Sequence, residues 1–279
     1  MYLFTSILVS IWFLGLTPLQ SDDEGSKLKG IESKIISLVN EHRIEAGLSE
    51  LKIHDELSEL ANLHSKNMGK NNFISHRNRL GKSPSERINE RLGDRYFLVH
   101  TSENLAHRYF FGDPPLSSER KKHRIARSIV RGWMNSKGHY ENLMNENSSH
   151  MGIGLHLNGN RLYVTQKFMA YLVRLAKPSD LGSIPVDQAR LTFFADTSRV
   201  KKDDLIFEIQ LPDSTDMWHD SEYGWKRGMA LIDSKWSGSD RFIIELPVDK
   251  YGPGNYTVRF RDTETNYTYN HHYQVTVTD

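Results

Sequence analysis

Cysteine is absent from this chain of 279 residues. That absence excludes disulfides, thiolate metal sites, a cysteine nucleophile and the cysteine of a lipoprotein anchor. An excess of either charge is also lacking: 36 Lys and Arg face 35 Asp and Glu, for a net +1. Nucleic acid is therefore not an expected partner, because phosphate binding needs a concentrated positive field. Neither Ser102 nor Ser136, the serines beside the motifs below, sits in a G-x-S-x-G elbow, so no serine nucleophile is announced. What is present, 38% hydrophobic and 25% charged residues, is the composition of a folded globular protein rather than a disordered one.

One apolar run stands out, Leu3 to Leu16, followed by polar Ser21-Asp22-Asp23-Glu24-Gly25. It is short for a membrane span and fits the hydrophobic region of an export signal. No Lys or Arg precedes it, and Pro18-Leu19-Gln20 is a poor cleavage site. Residues 1–21 are accordingly read as a signal peptide or an amino-terminal anchor, and the chain as secreted, extracellular or displayed at the cell surface.

Beyond a polar spacer, Ile31, Ile35, Leu38, Val39 and His42 repeat with helical spacing, as do Leu57, Leu60, Ala61, His64 and Met68. Ser83-Pro84-Ser85-Glu86 announces a third helix with a capping box. A fourth runs from about Ser117 to Asn135, burying Ile125, Ile129 and Trp133. The period then turns to alternation, with strands at Met151–Leu157 and Leu162–Phe168 joined by the turn Asn158-Gly159-Asn160. Around Lys177 to Pro185 the composition becomes that of a linker. After it, strands are expected at Leu191–Ala195, Leu205–Leu211, Phe242–Leu246, Tyr256–Phe260 and Tyr273–Val277, with little helical signal. The expected class is α+β: a domain over residues 27–172, a linker over 173–186, and a small antiparallel immunoglobulin-like β-sandwich over 187–279.

Four segments of the first domain carry a family likeness by their order and spacing. They are Leu60-Ala61-Asn62-Leu63-His64-Ser65-Lys66-Asn67-Met68; Asn72-Phe73-Ile74-Ser75-His76; Ser102-Glu103-Asn104-Leu105-Ala106; and Trp133 through His139-Tyr140-Glu141-Asn142-Leu143. The last is followed by Gly152-Ile153-Gly154 and Tyr163-Val164-Thr165-Gln166-Lys167-Phe168. Together they resemble the CAP superfamily of cysteine-rich secretory, pathogenesis-related and venom-allergen proteins, in a cysteine-free, bacterial-like form. The resemblance implies an α-β-α sandwich with two histidines and two glutamates meeting in a surface cleft. Carried over, these are His76, Glu103 and His139, while the usual place of the second glutamate holds Ser136. Glu141 lies near His139 in sequence, with nothing to place it in the cleft.

Two neutral imidazoles and a carboxylate can bind Zn2+ or another divalent metal and leave a position open for water. His76 and His139 are the expected ligands, joined by Glu103 or with Glu103 acting as a general base. The same groups can equally hydrogen-bond to one another and pin loops around a small sheet. Three functions follow as expectations. The first is a binding protein whose ligand is a lipid, a sterol, or a cell-envelope or polysaccharide component. The second is a metal-assisted, protease-like hydrolase using His76, His139 and Glu103. The third is an adhesive scaffold in which the sandwich supplies recognition. The missing carboxylate argues against efficient catalysis.

Other residues have simpler expectations. His64 reads as a core histidine bonded to a backbone carbonyl. Arg120, Arg124, Arg127 and Arg131 read as a solvated helix face rather than a stripe for anionic ligands. Trp218, Tyr223, Trp225 and Trp236 either stack on sugars or help fill the sandwich core. Asp213, Asp216, Asp220 and Glu222 match no calcium loop. His271 and His272, adjacent on a strand, face opposite sides. Asn147, Asn255 and Asn266 begin glycosylation sequons.

Overall fold

The apolar stripe of Ile31, Ile35 and Val39 winds into α1 (Ser21–Glu45), whose buried face meets Ile125, Ile129 and Trp133 of a later helix. The computed structural model that shows this describes residues 21–177, 181–212, 217–220, 224–262 and 268–279. After α1 come β1 (Lys52–Ile53), α2 (Asp55–Lys70), α3 (Pro84–Leu92) and β2 (Tyr96–Tyr109), then α4 (Glu119–Met134), α5 (Lys137–Leu143), β3 (His150–Asn158) and β4 (Arg161–Leu175). The capping box expected at Ser83 forms: its hydroxyl accepts from the Glu86 amide, and the Glu86 carboxylate accepts from the Ser83 amide. Arg120, Arg124, Arg127 and Arg131 lie on the outer side of α4, away from the buried Ile125, Ile129 and Trp133, as an amphipathic helix requires.

The sheet of this domain runs β1-β3-β4-β2, with β2 hydrogen-bonded to β4 alone. Alternation along β4 splits the core into two layers. Leu162, Val164 and Phe168 join α1 and α4 on one face; Tyr163 and Met169 meet α2, α3 and β2 on the other. Gly152 and Gly154 of β3 explain how closely α2 lies on the sheet. A Cβ at either would strike the α2 backbone, at Leu57 and Ser58 or at Ala61 and Asn62. This is the α-β-α sandwich that the resemblance implies.

The second half adds β5 (Gly182–Pro185), β6 (Arg190–Ala195), β7 (Leu205–Gln210), β8 (Met217–Asp220), β9 (Gly224–Arg227) and β10 (Met229–Ile232). It continues with β11 (Ser234–Ser237), β12 (Arg241–Glu245), the short α6 (Val248–Tyr251), β13 (Gly254–Asp262) and β14 (Thr268–Thr278). One layer is β10-β7-β13-β14-β5 and the facing layer is β6-β12-β11. Two facing layers of mainly antiparallel strands make the immunoglobulin-like sandwich expected here. Phe193, Phe207, Phe242 and Phe260 meet ring to ring in its centre, where immunoglobulins place a disulfide. The Tyr256 hydroxyl donates to the Gly252 carbonyl at 2.6 Å, a corner bond of the kind this fold uses.

The two halves share a sheet edge and a core. The end of β4 pairs with β6, Val173 opposite Ala195 and Leu175 opposite Phe193. Phe97, Leu172, Val173 and Leu175 lie in one buried cluster with the sandwich interior. Within the stretch 173–186, Val173 to Leu175 complete β4 and Gly182–Pro185 forms β5. Apolar side chains with a strand to pair against take that form even beside linker-like composition. Pro178, Ser179 and Asp180 lie outside the described residues, as does the apolar run at the amino terminus.

Candidate functional site

The candidate site gathers around Glu103 on the edge strand β2. Register places Glu103 directly opposite Lys167 of β4, and the Lys167 ammonium donates to its Oε2 at 2.7 Å. Arg87, brought in by α3, donates to the same oxygen at 2.7 Å. His76, on the loop between α2 and α3, meets Oε1 through Nδ1 at 3.0 Å. Glu103 and Lys167 are buried, whereas the His76 side chain is half exposed. One buried carboxylate thus holds two cations and an imidazole, the compensation a buried charge requires. Burial pushes the Glu103 carboxyl up, but the His76 hydrogen bond and the Lys167 and Arg87 charges more than offset it and hold it ionised. Burial pulls Lys167 below the usual lysine range, with Glu103 opposing.

An ionised carboxylate only accepts, so the His76 Nδ1 carries a proton and donates to it in either charge state of the ring. For His139, on α5, the pKa is lowered by burial and by the nearby charge of His76. The structure therefore brings His76 and Glu103 into contact and keeps His139 within electrostatic reach of His76. Ser136, at the cap of α5, makes no capping bond. Glu141 is exposed and lies 3.9 Å from the exposed Lys137, so it does not replace the missing glutamate.

Several motif residues are structural. Asn104 donates to the His139 carbonyl at 3.1 Å; Asn142 donates to the Asn104 side chain at 2.9 Å and to the Glu103 carbonyl at 3.2 Å. Trp133 donates to the Leu105 carbonyl at 2.9 Å. These bonds fasten α4 and α5 to β2 and so fix His139 relative to Glu103. His64 bonds the Ser75 carbonyl through Nε2 at 2.9 Å, the core role expected of it. Arg87 and Lys167 are site residues that reading the sequence does not find. Lys167 has a visible signal, a lone cation within an otherwise uncharged strand run; Arg87 has none.

The metal expectation meets a specific obstacle at Glu103. Both of its oxygens already accept from cations or an imidazole, so it does not fit as a ligand. Among the described residues, no group of three or more His, Asp or Glu is placed to hold a metal. In the sandwich, Trp236 lies half-buried against Phe242, ring centroids 4.8 Å apart, so it packs rather than projects. The side chains of Trp218, Tyr223, Trp225, Asp213, Asp216, Asp220, Glu222, Asn266 and His271 lie outside the described residues.

Residues 36–168 match the cysteine-rich secretory protein family, CAP, and form a domain of that family. The chain is 31% identical over 150 residues to "Uncharacterized membrane protein YlbC" of Bacillus subtilis, covering 53% of this chain and 37% of that one. It is 29% identical over 144 residues to "Uncharacterized protein YkwD" of the same organism, covering 52% and 49%. The chain thus spans half or less of the length of these curated relatives. Among solved structures, it is similar to an outer surface protein from Borrelia burgdorferi, with 23% identity and a TM-score of 0.42, covering 50% of this chain and 92% of that one. An extracellular protein containing a SCP domain from Bacillus anthracis is 25% identical, with a TM-score of 0.42, covering 55% and 44%.

Proposed function

We propose that this protein is exported and acts as a binding module for a cell-envelope component, engaging it at the β2 edge between His76 and His139. The observation that carries the reading is the state of Glu103. A carboxylate buried under Arg87 and Lys167 is a poor general base, because its proton affinity is held far below neutrality. Its two cations instead make it a fixed anchor that orients the exposed His76 ring. The export half of the reading rests on the apolar run from Leu3 to Leu16. No helix among the described residues is long and apolar enough to cross a membrane.

For Zn2+ or another divalent ion the proposal is narrower than three-residue ligation. His76 and His139 are the residues that would hold it, with Glu103 behind His76 as the carboxylate that fixes its tautomer. Such an ion would supply Lewis acidity at the cleft. Zinc titration by calorimetry tests this: His76→Ala with His139→Ala abolishes binding, and Glu103→Gln weakens it at least about tenfold.

The binding reading is tested by cosedimentation of the full chain with bacterial cell walls and with lipid vesicles. Retention on one of them, strongly reduced by His76→Ala with His139→Ala, supports it. Equal retention of the double variant removes the cleft from the reading. A peptide, ester or glycan substrate cleaved in a Glu103-dependent way would replace binding by hydrolysis.

A further inference from the structure

Strand β2 carries its row of side chains on past the cleft. Glu103, Leu105, His107 and Tyr109 alternate onto one face, and the loop from Asn72 to His76 runs beside them. At one end His76 meets Glu103. At the other, Asn72 Oδ1 accepts from Arg161 at 2.7 Å and from the Tyr163 hydroxyl at 3.3 Å. Six residues of strand separate the ends, about 20 Å. The far end opens into a groove of about 240 Å³ whose walls include Asn72, Phe73, Ile74, His107, Tyr109 and Arg161.

The groove presents its groups to solvent. Asn72, Ile74, His107, Tyr109 and Arg161 are all exposed. Phe111, edge to face with Tyr109 at 5.4 Å, is 98% exposed, so two rings and Ile74 form an apolar ledge that a ligand can reach. The polar groups beside the ledge are planar, and each has atoms to give. Asn72 follows the end of α2 in the left-handed region, φ 50°, a conformation asparagine tolerates there. Its oxygen is taken by Arg161 and Tyr163, which leaves Nδ2 as a donor. Arg161 uses one nitrogen on Asn72 and lies over the Tyr109 ring, 5.8 Å from its centroid, with the rest of its fork unused. His107 makes no hydrogen bond among the described residues.

Charge narrows the class. No Asp or Glu lines the groove, and Arg161 has no carboxylate partner among the described residues. Other cations of this domain have one: Lys82 with Glu90 at 2.6 Å, Arg91 with Glu59 at 3.1 Å and Lys34 with Glu119 at 2.9 Å. The anion missing at Arg161 is therefore one a ligand would bring, and a guanidinium fork matches a carboxylate. The groove is too small and too polar-sided to bury an acyl chain. An extended peptide would pair along the free edge of β2, but the Glu103 and Leu105 carbonyls are already taken by Asn142 and Trp133. A sugar ring with a carboxylate meets the remaining demands. Its C–H face suits the Tyr109 ledge, its hydroxyls suit Asn72 and His107, and its carboxylate suits Arg161.

We infer that this groove is a subsite for an acidic sugar residue, so that an anionic polysaccharide lies along β2 from Tyr109 toward His76. The inference deepens the envelope-binding reading and rests on it for the source of the polysaccharide.

Calorimetry and NMR titration of the full chain use trigalacturonate, its methyl ester, which keeps the rings and loses the charge, and triglutamate, which keeps the charge and loses the rings. Trigalacturonate is expected to bind at least about tenfold tighter than the ester, the ratio set by charge-assisted hydrogen bonds, and to shift resonances of His107, Tyr109 and Phe111. Arg161→Gln should weaken it at least about tenfold. Tyr109→Ala should weaken it several-fold. Absence of trigalacturonate binding, equal affinity for the ester, or indifference to both variants overturns the subsite. Triglutamate binding as tightly in the same groove overturns the sugar and assigns an acidic peptide. Binding to phosphatidylglycerol vesicles that is lost in Phe111→Ser, without trigalacturonate binding, overturns it in favour of a lipid surface. Cosedimentation with bacterial cell walls keeps the two readings apart. Retention that survives Arg161→Gln with Tyr109→Ala leaves envelope binding in place and removes the subsite. No retention of the unaltered chain, with Arg161-dependent trigalacturonate binding intact, upholds the subsite and removes the envelope reading.

Discussion

The two halves of this molecule bury different things. The CAP domain sinks Glu103, Arg87, Lys167 and His64 beneath its surface, while the centre of the sandwich is a stack of rings from Phe193, Phe207, Phe242 and Phe260. Buried polar groups survive only when partnered, and they bring little net stability over well-packed apolar side chains. The sandwich also buries a charged pair, Arg261 and Glu208 at 3.4 Å; what distinguishes the CAP half is that its buried carboxylate, Glu103, reaches a half-exposed side chain, His76. The aromatic core holds a shape; the charged one holds particular atoms at particular places.

The contrast can be broken most severely from the aromatic side. Phe260→Ala leaves a cavity among the rings and is expected to cost about 3–5 kcal/mol in urea unfolding. Because Phe97, Leu172 and Leu175 belong to the same cluster, the loss should lower a single shared calorimetric transition. A separate transition for the CAP domain, untouched by the substitution, would show that the halves are energetically independent.

The charged side should respond differently in kind. Lys167→Met strips a buried cation from Glu103 and is expected to destabilise by roughly 3 kcal/mol, since an unpaired buried charge is left behind. Adding Glu103→Gln should recover a large part of that loss, whereas no second substitution of comparable size rescues Phe260→Ala. Additive losses in the Lys167/Glu103 double variant would mean that the pair is not coupled.

Acid should weaken the CAP half first. His150 is buried against the His54 and Tyr171 rings, and burial, the largest cause, lowers its pKa to about 4. A histidine whose folded pKa lies below its unfolded value binds fewer protons folded than unfolded. Its contribution to stability is therefore intact above about pH 6.5 and is lost as pH falls from there toward about 4. The expected loss is on the order of 2 kcal/mol. Denaturation at about pH 7 and about pH 4.5, either side of most of that window, should show it, and His150→Phe should flatten that part of the slope. The smallest effect belongs to the sandwich corner. Tyr256→Phe removes one hydrogen bond to Gly252 and should cost about 1 kcal/mol, the same at both pH values.

How legible all this is in the sequence depends on whether the cause is local. The helical stripe on α4, the capping box at Ser83 and the turn around Gly159 are set by residues within a few positions of each other, and they are readable. The carbonyl partner of His64 is foreseeable in kind, because a histidine on an apolar stripe has few other ways to be buried. Strand β2 does not read as a strand beyond its motif. Its Ser102-Glu103-Asn104 segment is polar yet largely buried, so alternation of apolar and polar residues carries no signal there. The pairing of Glu103 with Lys167 depends on a register across 64 positions of chain. Arg87 reaches the same carboxylate only because α3 packs where it does. Spacing in sequence contains neither fact. The sandwich is legible as alternating strands, but Tyr256 as its corner is not, since that role exists only once the turn before β13 is folded.

Strand β4 has a mechanical consequence. Its Glu103-facing portion and its β6-facing end are one unbroken ribbon from Arg161 to Leu175. Tension between a ligand gripped at the β2 edge and an attachment on the sandwich would run along that ribbon, loading its flanking hydrogen bonds lengthwise, many at once. Rows of bonds loaded in shear yield together rather than peeling apart one by one. A pull on one half would therefore reach the other along this single strand and through its three residue pairs with β6.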